Sequence, residues 1–519
     1  MHLKTPSLLL CLLLSACMMV GPDYKEPKKK AAAHWIKNSP MVKEKPIHDA
    51  NWWQVFHDPT LSKLICTAYQ HNLSLQAAAV RVLYTRAQLA QSVGELYPQQ
   101  QAMTGNFIYQ RLGGTSLQGL LPQDFNAATL GFSANWELDF WGKYRRAIRA
   151  NDANFLSSIA AYDNALLTLI ADTANSYINI RTYEELIKVT KENIVVQRIG
   201  LDIAKARYQA GETSLLDVEQ AQTELSETEA TLPTQQSSLR RYKDQLAVLL
   251  GLVPSEVDPL LVKTRGIPIA PKSIEAGIPK EALSQRPDIH QARLEAIAQS
   301  ESIGAVKANL YPAFSLAGSF SFAATNIPPS KLSNIFNWNS RTISAGPGVN
   351  WPLLNYGQIT NSVRMQDAAF QQSLLNYLNL VLQAQQEIQD SITEYIAAKK
   401  SENSLIVANR AAIETTKLAL IRYREGESDY TPVLNAEQQQ LRVQTSLTNA
   451  KAKVPRAVVA LYRGLGGGWQ IRRGNDIVPE QIKNDMASRT NWGSLLKPEN
   501  HLAPMTKWKK IEENYLPNW

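Results

Sequence analysis

The sequence predicts a mixed α and β membrane protein, in which a few amphipathic strands form part of a transmembrane β-barrel and long helices continue that barrel as an α-helical tube. Three observations carry this expectation. Matching residues recur about 215 positions apart, so the chain is written twice. Runs of about a dozen residues alternate apolar and polar, and two stretches of about sixty residues keep helical spacing without interruption.

The chain opens with His2 and Lys4, then an apolar run from Leu8 to Leu14. That run has the length of an export signal and is too short to cross a bilayer as a helix. Leu14-Ser15-Ala16-Cys17 follows, with small residues directly before a cysteine. This resembles the lipobox of bacterial lipoproteins, which implies a signal peptide over 1–16, cleavage after Ala16 and lipid attachment at Cys17. The alternative is a plain signal carrying a chance cysteine. The thiol matters because sulfur is the nucleophile that accepts the diacylglycerol, and each buried methylene adds about 0.8 kcal/mol of membrane affinity. The resemblance implies covalent S-diacylglycerol and N-palmitoyl groups on Cys17, and Met18 behind it favours sorting to the outer membrane. Residues 17–50, with Pro22, Pro27 and Lys28 to Lys30, read as a lipid-anchored tether without structure of its own.

The first repeat spans 51–265 and the second 266–469. Leu96-Tyr97-Pro98 returns as Leu310-Tyr311-Pro312, Asn135-Trp136 as Asn350-Trp351, and Gly142 as Gly357. Tyr208, Gly211, Glu212, Val218 and Ala221 return as Tyr423, Gly426, Glu427, Val433 and Ala436. Each repeat predicts a helix, two strands (about 99–112 and 127–140, then about 313–324 and 341–354) and a long helical hairpin turning at Gly211 or Gly426. In the second strand Ala128, Leu130, Phe132, Ala134, Trp136, Leu138 and Phe140 share one face, while Thr129, Gly131, Ser133, Asn135, Glu137 and Asp139 share the other. This pattern fits a half-solvated sandwich or a membrane barrel. Length and the aromatic residues Trp136, Phe140, Trp141 and Trp351 at the strand ends favour the membrane. Four strands cannot close a barrel, and an open edge in lipid leaves backbone groups unpaired at several kcal/mol each. Copies must therefore join, and the strand pattern alone leaves their number open.

From Lys143 to about Ala206, and from Gln358 to about Tyr423, the helical runs predict rods of about 90 Å. They begin where strands stop, so they extend the barrel. Composition excludes other classes. The chain is 44% hydrophobic and 19% charged, which argues against disorder. A net charge of +8 is scattered, with no basic arm for nucleic acid. The three cysteines make no disulfide framework, the seven histidines show no metal-ligand spacing, and there is no phosphate-binding loop. No enzyme, catalytic residue, metal or other cofactor is expected, and Trp52-Trp53 reads as packing of an equatorial domain.

Further residues allow a family to be named. They are Val20-Gly21-Pro22-Asp23-Tyr24, Trp52-Trp53 with Asp58-Pro59, and Trp136-Glu137-Leu138-Asp139 before Gly142. In the second half they are Arg286-Pro287-Asp288, Trp351-Pro352-Leu353 and Gly466-Gly467-Gly468-Trp469. In this order they resemble the TolC-like outer-membrane efflux factors, in their lipoprotein (NodT-type) branch. The resemblance implies a homotrimer with a twelve-stranded barrel, four strands per protomer, continued through the periplasm as a helical tunnel. It implies an exit duct that meets outer-membrane lipid, a periplasmic membrane-fusion adaptor and an RND-type inner-membrane transporter. By family position Gly211 and Gly426 lie at periplasmic tips where the tube closes and the adaptor docks, and Asp217 and Tyr423 help lock the closed end. Glu212, Glu427 and Asp429 gather there with other acids, either as a cation-favouring mouth or as complements to helix dipoles. Pro432 and Asn435 stand where some relatives carry inward aspartates, and Pro432 suggests an altered tip geometry. The same fold serves protein secretion, and a non-conducting envelope lipoprotein is a further alternative. The extension over 470–519 has no role assigned from its residues.

Overall fold

The computed structural model describes residues 19–28, 32, 34–35, 40–43, 50–113, 122–261, 266–277 and 279–501. Cys17, and the tail beyond residue 501, lie outside the described residues. A two-residue strand β1 (Val42–Lys43) precedes helices α1 (Pro59–His71) and α2 (Leu73–Gly94), strands β2 (Gln100–Arg111) and β3 (Asp124–Leu138), and the hairpin α3 (Lys143–Gln209) and α4 (Leu215–Leu250). The second half brings β4 (Ile274–Glu275), α5 (Pro279–Gln285), α6 (Pro287–Lys307), β5 (Ala313–Thr325), β6 (Arg341–Asn350), and the hairpin α7 (Gln358–Arg424) and α8 (Thr431–Gly464). A short helix α9 (Glu480–Arg489) follows.

The long helices α3 and α7 have 67 residues each, about 100 Å of rod. Their ends explain the recurring glycines. Gly142 and Gly357 precede the two helices, and Gly211, Gly251, Gly426 and Gly466 follow the four hairpin helices, all with positive φ. Behind each of the last four, an N–H closes the helix onto a carbonyl five residues back: Glu212 to Arg207, Leu252 to Ala247, Glu427 to Arg422 and Gly467 to Tyr462. This left-handed termination strains any residue with a Cβ.

The strands form one antiparallel sheet in the order β2-β3-β5-β6. Its register aligns like with like. Met103, Phe132, Phe320 and Ile343 stand in one cross-strand row, while Ala102, Ser133, Ser319 and Ser344 stand in the row beside it. Because paired residues share a face, one side is apolar across its whole width and the other is lined by small and polar residues. A Cβ on Gly131 would come within 2.6 Å of the Ser321 Cβ. Among the described residues, the outer edges of β2 and β6 have no partner strand. The observed β3 starts and ends earlier than expected, and Phe140 lies outside it, because the backbone turns at Asp139 to start α3. Strand β6 ends at Asn350, ahead of Pro352, whose missing N–H cannot continue a ladder.

An equatorial core lies beside the helices. Trp52 stacks on Tyr462 at 5.2 Å and packs edge-on against Trp53 and Phe56. Asp58 caps α1 through the N–H groups of Thr60 and Leu61, and accepts the Tyr177 hydroxyl at 2.7 Å. Arg286 joins three elements through the Gly464 carbonyl, Asp288 and Glu387. The described part of the extension is also built in. Arg472 pairs with Asp163 in the interior, Asp476 holds both Lys483 and His501 there, and Arg86 donates to the Asn500 carbonyl at 2.9 Å.

The expected tether is, over residues 19–28, a packed strap. The Val20 N–H donates to the Trp141 carbonyl at 3.0 Å. Buried Arg146 pairs with Asp23 at 3.0 Å and Glu301 at 2.7 Å, and Glu26 pairs with Arg293. Gly21 passes so near α6 that a Cβ on it would lie 2.5 Å from the Gly304 Cα. Trp35 donates its indole N–H to the Ala276 and Gly277 carbonyls beside the β1–β4 pair, so the leader is fastened at both ends. Arg146→Met leaves Glu301 largely buried without its partner, and we expect a loss of about 3–5 kcal/mol, read as a fall in the thermal midpoint of the detergent-solubilised protein. Glu301→Gln, which keeps a polar partner for Arg146, is expected to lower it less.

Candidate functional site

Two regions bring the expected residues together: a collar where strands become helices, and the tip of the long hairpins. At the collar, Trp136 and Trp351 each donate an indole N–H over 3.1 Å, to the carbonyls of Leu96 and Leu310. The two tryptophans clasp the same backbone point in each repeat, which explains why Leu-Tyr-Pro and Asn-Trp recur together. Trp141 donates to the Pro312 carbonyl at 2.8 Å and stacks on Tyr311, while Phe140 lies 5.1 Å from Phe314. Asp139 accepts the N–H groups of Tyr144 and Arg145, starting α3 with a carboxylate at its positive end.

Met19 sits in this collar, where a Cβ on Gly142 would lie 2.4 Å from its Cγ. A second aromatic group, missed in the sequence because it lies in a loop without alternation, stands at the opposite end of the strands. Phe336 and Trp338 are exposed there, and the Arg341 guanidinium covers the Trp338 ring at 4.4 Å. The thirteen residues of β5 span about 43 Å along the strand, which a tilt near 45° reduces to about the 30 Å of a hydrocarbon core.

At the tip, Tyr423 is fully buried and donates its hydroxyl to Asp217 at 3.2 Å. Asp217 also accepts the Thr213 hydroxyl. Arg207 donates to the Tyr423 carbonyl and lays its guanidinium 4.7 Å from the centre of the ring. Burial is the main cause that raises the Tyr423 phenol above its ordinary range, so it stays a donor. Tyr430 packs edge-on against Tyr423 over a small core with Ile194, Leu201, Val218 and Val433. Arg207 went unnoticed in the sequence, although Arg207-Tyr208 returns as Arg422-Tyr423. The equivalence stops at the backbone, since Tyr208 is 45% exposed.

The acids at the tip stand beside cations. Glu212 pairs with Arg207, Glu427 with Arg422 and Glu425 with Arg424. Asp429 is exposed, and a negative mouth, one of the two readings of these acids, would be partly neutralised by these arginines. Pro432 sits in the first turn of α8, where its missing N–H is harmless. The helix begins one residue later than its counterpart α4, and Gly426 turns like Gly211, so the expected change of tip geometry is confined to that residue. Asn435 is exposed. Among the described residues no group of three or more His, Cys, Asp or Glu could hold a metal ion. Tyr423→Phe keeps the ring and removes one hydrogen bond to a carboxylate, about 1.5–3 kcal/mol. We expect amide hydrogen exchange across residues 213–221 to quicken by about tenfold or more, with exchange in α1 unchanged.

Comparison with known proteins agrees with this layout. The model of the family described as outer membrane efflux protein matches twice, over residues 64–252 and 278–467. Nodulation protein T of Rhizobium leguminosarum bv. viciae is 30% identical over 464 residues, covering 88% of this chain and 92% of that protein. The probable outer membrane lipoprotein SilC of Salmonella typhimurium is 26% identical, covering 90% of this chain and 99% of its own. The solved structure of the outer-membrane channel OprN superposes with a TM-score of 0.79 at 29% identity, covering 87% of this chain and 99% of the other. With both matches together covering most of its length, the chain belongs to the outer membrane efflux protein family.

Proposed function

We propose that three copies of this chain form the outer-membrane exit duct of a tripartite efflux pump. The duct passively conducts drugs, toxic small molecules or metal ions delivered by a periplasmic adaptor from an inner-membrane transporter. The observation that carries this reading is the four-stranded sheet with one apolar face, one face of small polar residues and two unpartnered edges. Two copies would supply eight strands, and a barrel of that size is filled by its own side chains or holds one small ligand. Three supply twelve, and Ser133, Ser319, Ser344 and Gly346 then keep the interior wide. The apolar face meets lipid between the two aromatic groups, and acyl chains on Cys17 add a lipid anchor. The hairpin tips at Gly211 and Gly426 form the closed periplasmic end and the adaptor-docking surface, with Asp217 and Tyr423 as its latch.

Planar-bilayer recording tests the duct. A variant carrying both Asp217→Ala and Tyr423→Phe is expected to conduct several-fold more than the wild type, and a folded assembly that never conducts overturns the reading. A deletion strain that accumulates drugs or metal ions supports efflux, whereas loss of a secreted protein assigns the duct to protein export. Cys17→Ser is expected to abolish acylation yet leave the protein in the outer-membrane fraction. Recovery of the unlipidated chain wholly as a soluble periplasmic protein overturns the lipid-facing assignment of the sheet.

A further inference from the structure

Behind the Tyr423 latch, a layer of buried polar side chains has no part in the duct as described. Glu437 on α8 is 2% exposed and Glu224 on α4 is 6% exposed. Both Glu224 oxygens are engaged, one by the Gln438 amide at 2.8 Å and one by the Gln197 amide at 3.3 Å. Glu437 Oε2 accepts the Tyr430 hydroxyl at 3.2 Å, but its Oε1 is buried with no donor, and so is the Oε1 of Gln197. Room for Glu437 is made by Gly200, inside α3 toward its C-terminal end. A Cβ there would lie 3.0 Å from Glu437 Oε1 and 3.3 Å from the Tyr430 oxygen. Glycine in a helix interior is otherwise unfavourable by about 1 kcal/mol relative to alanine.

The surrounding elements supply no compensating charge. From α3 the layer meets Gln197, with Arg207 committed to Tyr423 and Glu212, and Arg198 committed to Glu229 at the surface. From α4 it meets Glu224, from α7 Leu420 and, one turn on, Tyr423, and from α8 Tyr430 and Gln438. Among the described residues no Lys, Arg or His is paired with either carboxylate. Two ionised carboxylates in an interior without a cation are mutually unfavourable, and one proton removes the conflict. It also creates an O–H donor in a layer that has buried acceptors without donors.

As a deepening of the duct reading, we propose that Glu437, set beside the buried Glu224 carboxylate, is a proton-binding site that holds the tip closed when occupied and loosens it when the proton leaves. Burial is the main cause that pushes Glu437 from the ordinary 4.5 up to about 7; the Tyr430 hydrogen bond opposes it and the Glu224 charge adds to it. The closed tip therefore binds the proton more tightly than an open tip with a hydrated carboxylate. Closure is favoured at low pH, and its advantage is lost as pH rises from about 4.5 to about 7.

The test uses the full acylated assembly with Cys66→Ser and a spin label introduced through Ser214→Cys, an exposed tip position. Distances between copies are measured by pulsed electron paramagnetic resonance from about pH 5 to about pH 8. The ratio of wide to narrow separations is expected to rise at least about tenfold in the parent, one unit of proton affinity being tenfold in population. Glu437→Gln, which keeps the volume and cannot ionise, is expected to stay narrow throughout. A parent whose separations ignore pH, or a Glu437→Gln protein that follows the parental curve, overturns the proposal. Infrared difference spectra at about pH 6 give a second reading: a protonated-carboxyl band present in the parent and absent from Glu437→Gln supports it, and no such band in the parent overturns it. Neither measurement needs current through a pore, so failure here is distinct from a loosened assembly that never conducts.

Discussion

Backbone amides along the outer margins of β2 and β6 need partners, and inside a bilayer only another strand can supply them. This requirement governs the rest of the molecule. In the proposed duct it makes the folded chain a segment of wall, and it would pass curvature to the helices, because α3 starts five residues after β3 ends and α7 starts eight after β6. A ring of strands would thus seed a ring of helices. The collar tryptophans secure that handover by donating to backbone carbonyls on the entering side of each sheet half.

The duplication preserves the frame and releases the chemistry. Three pairs of left-handed glycines and two helices of equal length keep the halves superimposable in outline. Side chains then diverge where the two hairpins do different work. Tyr423 is buried against Asp217 while Tyr208 is exposed, and Asp217 itself corresponds to Pro432. A repeat identical in every side chain would hold both hairpins equally firmly.

Much of this was legible in the residues. Period-2 alternation marked the strands because the sheet has two unlike faces, and glycine positions marked the hairpin ends because those turns need positive φ. The Asp217–Tyr423 contact followed from the family resemblance and is present as a hydrogen bond. What alternation could not convey was anything whose partner is distant in sequence. The strap looked like a linker, since Pro22 and the lysines are linker residues, and its order comes from Arg146, Glu301 and Gly304. The extension after Trp469 had no visible role because Arg472 finds Asp163 across 309 positions. The Glu224 and Glu437 layer was hidden for the same reason, as helical periodicity marks a buried face but not the polarity of what it encloses.

The strap also bears on how an assembly of several chains comes together. Gly21 and Arg146 hold the leader against the collar, so from Met19 on the chain starts at a fixed point on the folded body and not on a long swinging linker. Were the chain lipidated as proposed, it would diffuse over a surface instead of through a volume, which raises the local concentration of its siblings. The short fastened leader would therefore speed the meeting of subunits whose unsatisfied margins make each of them a poor guest in lipid alone.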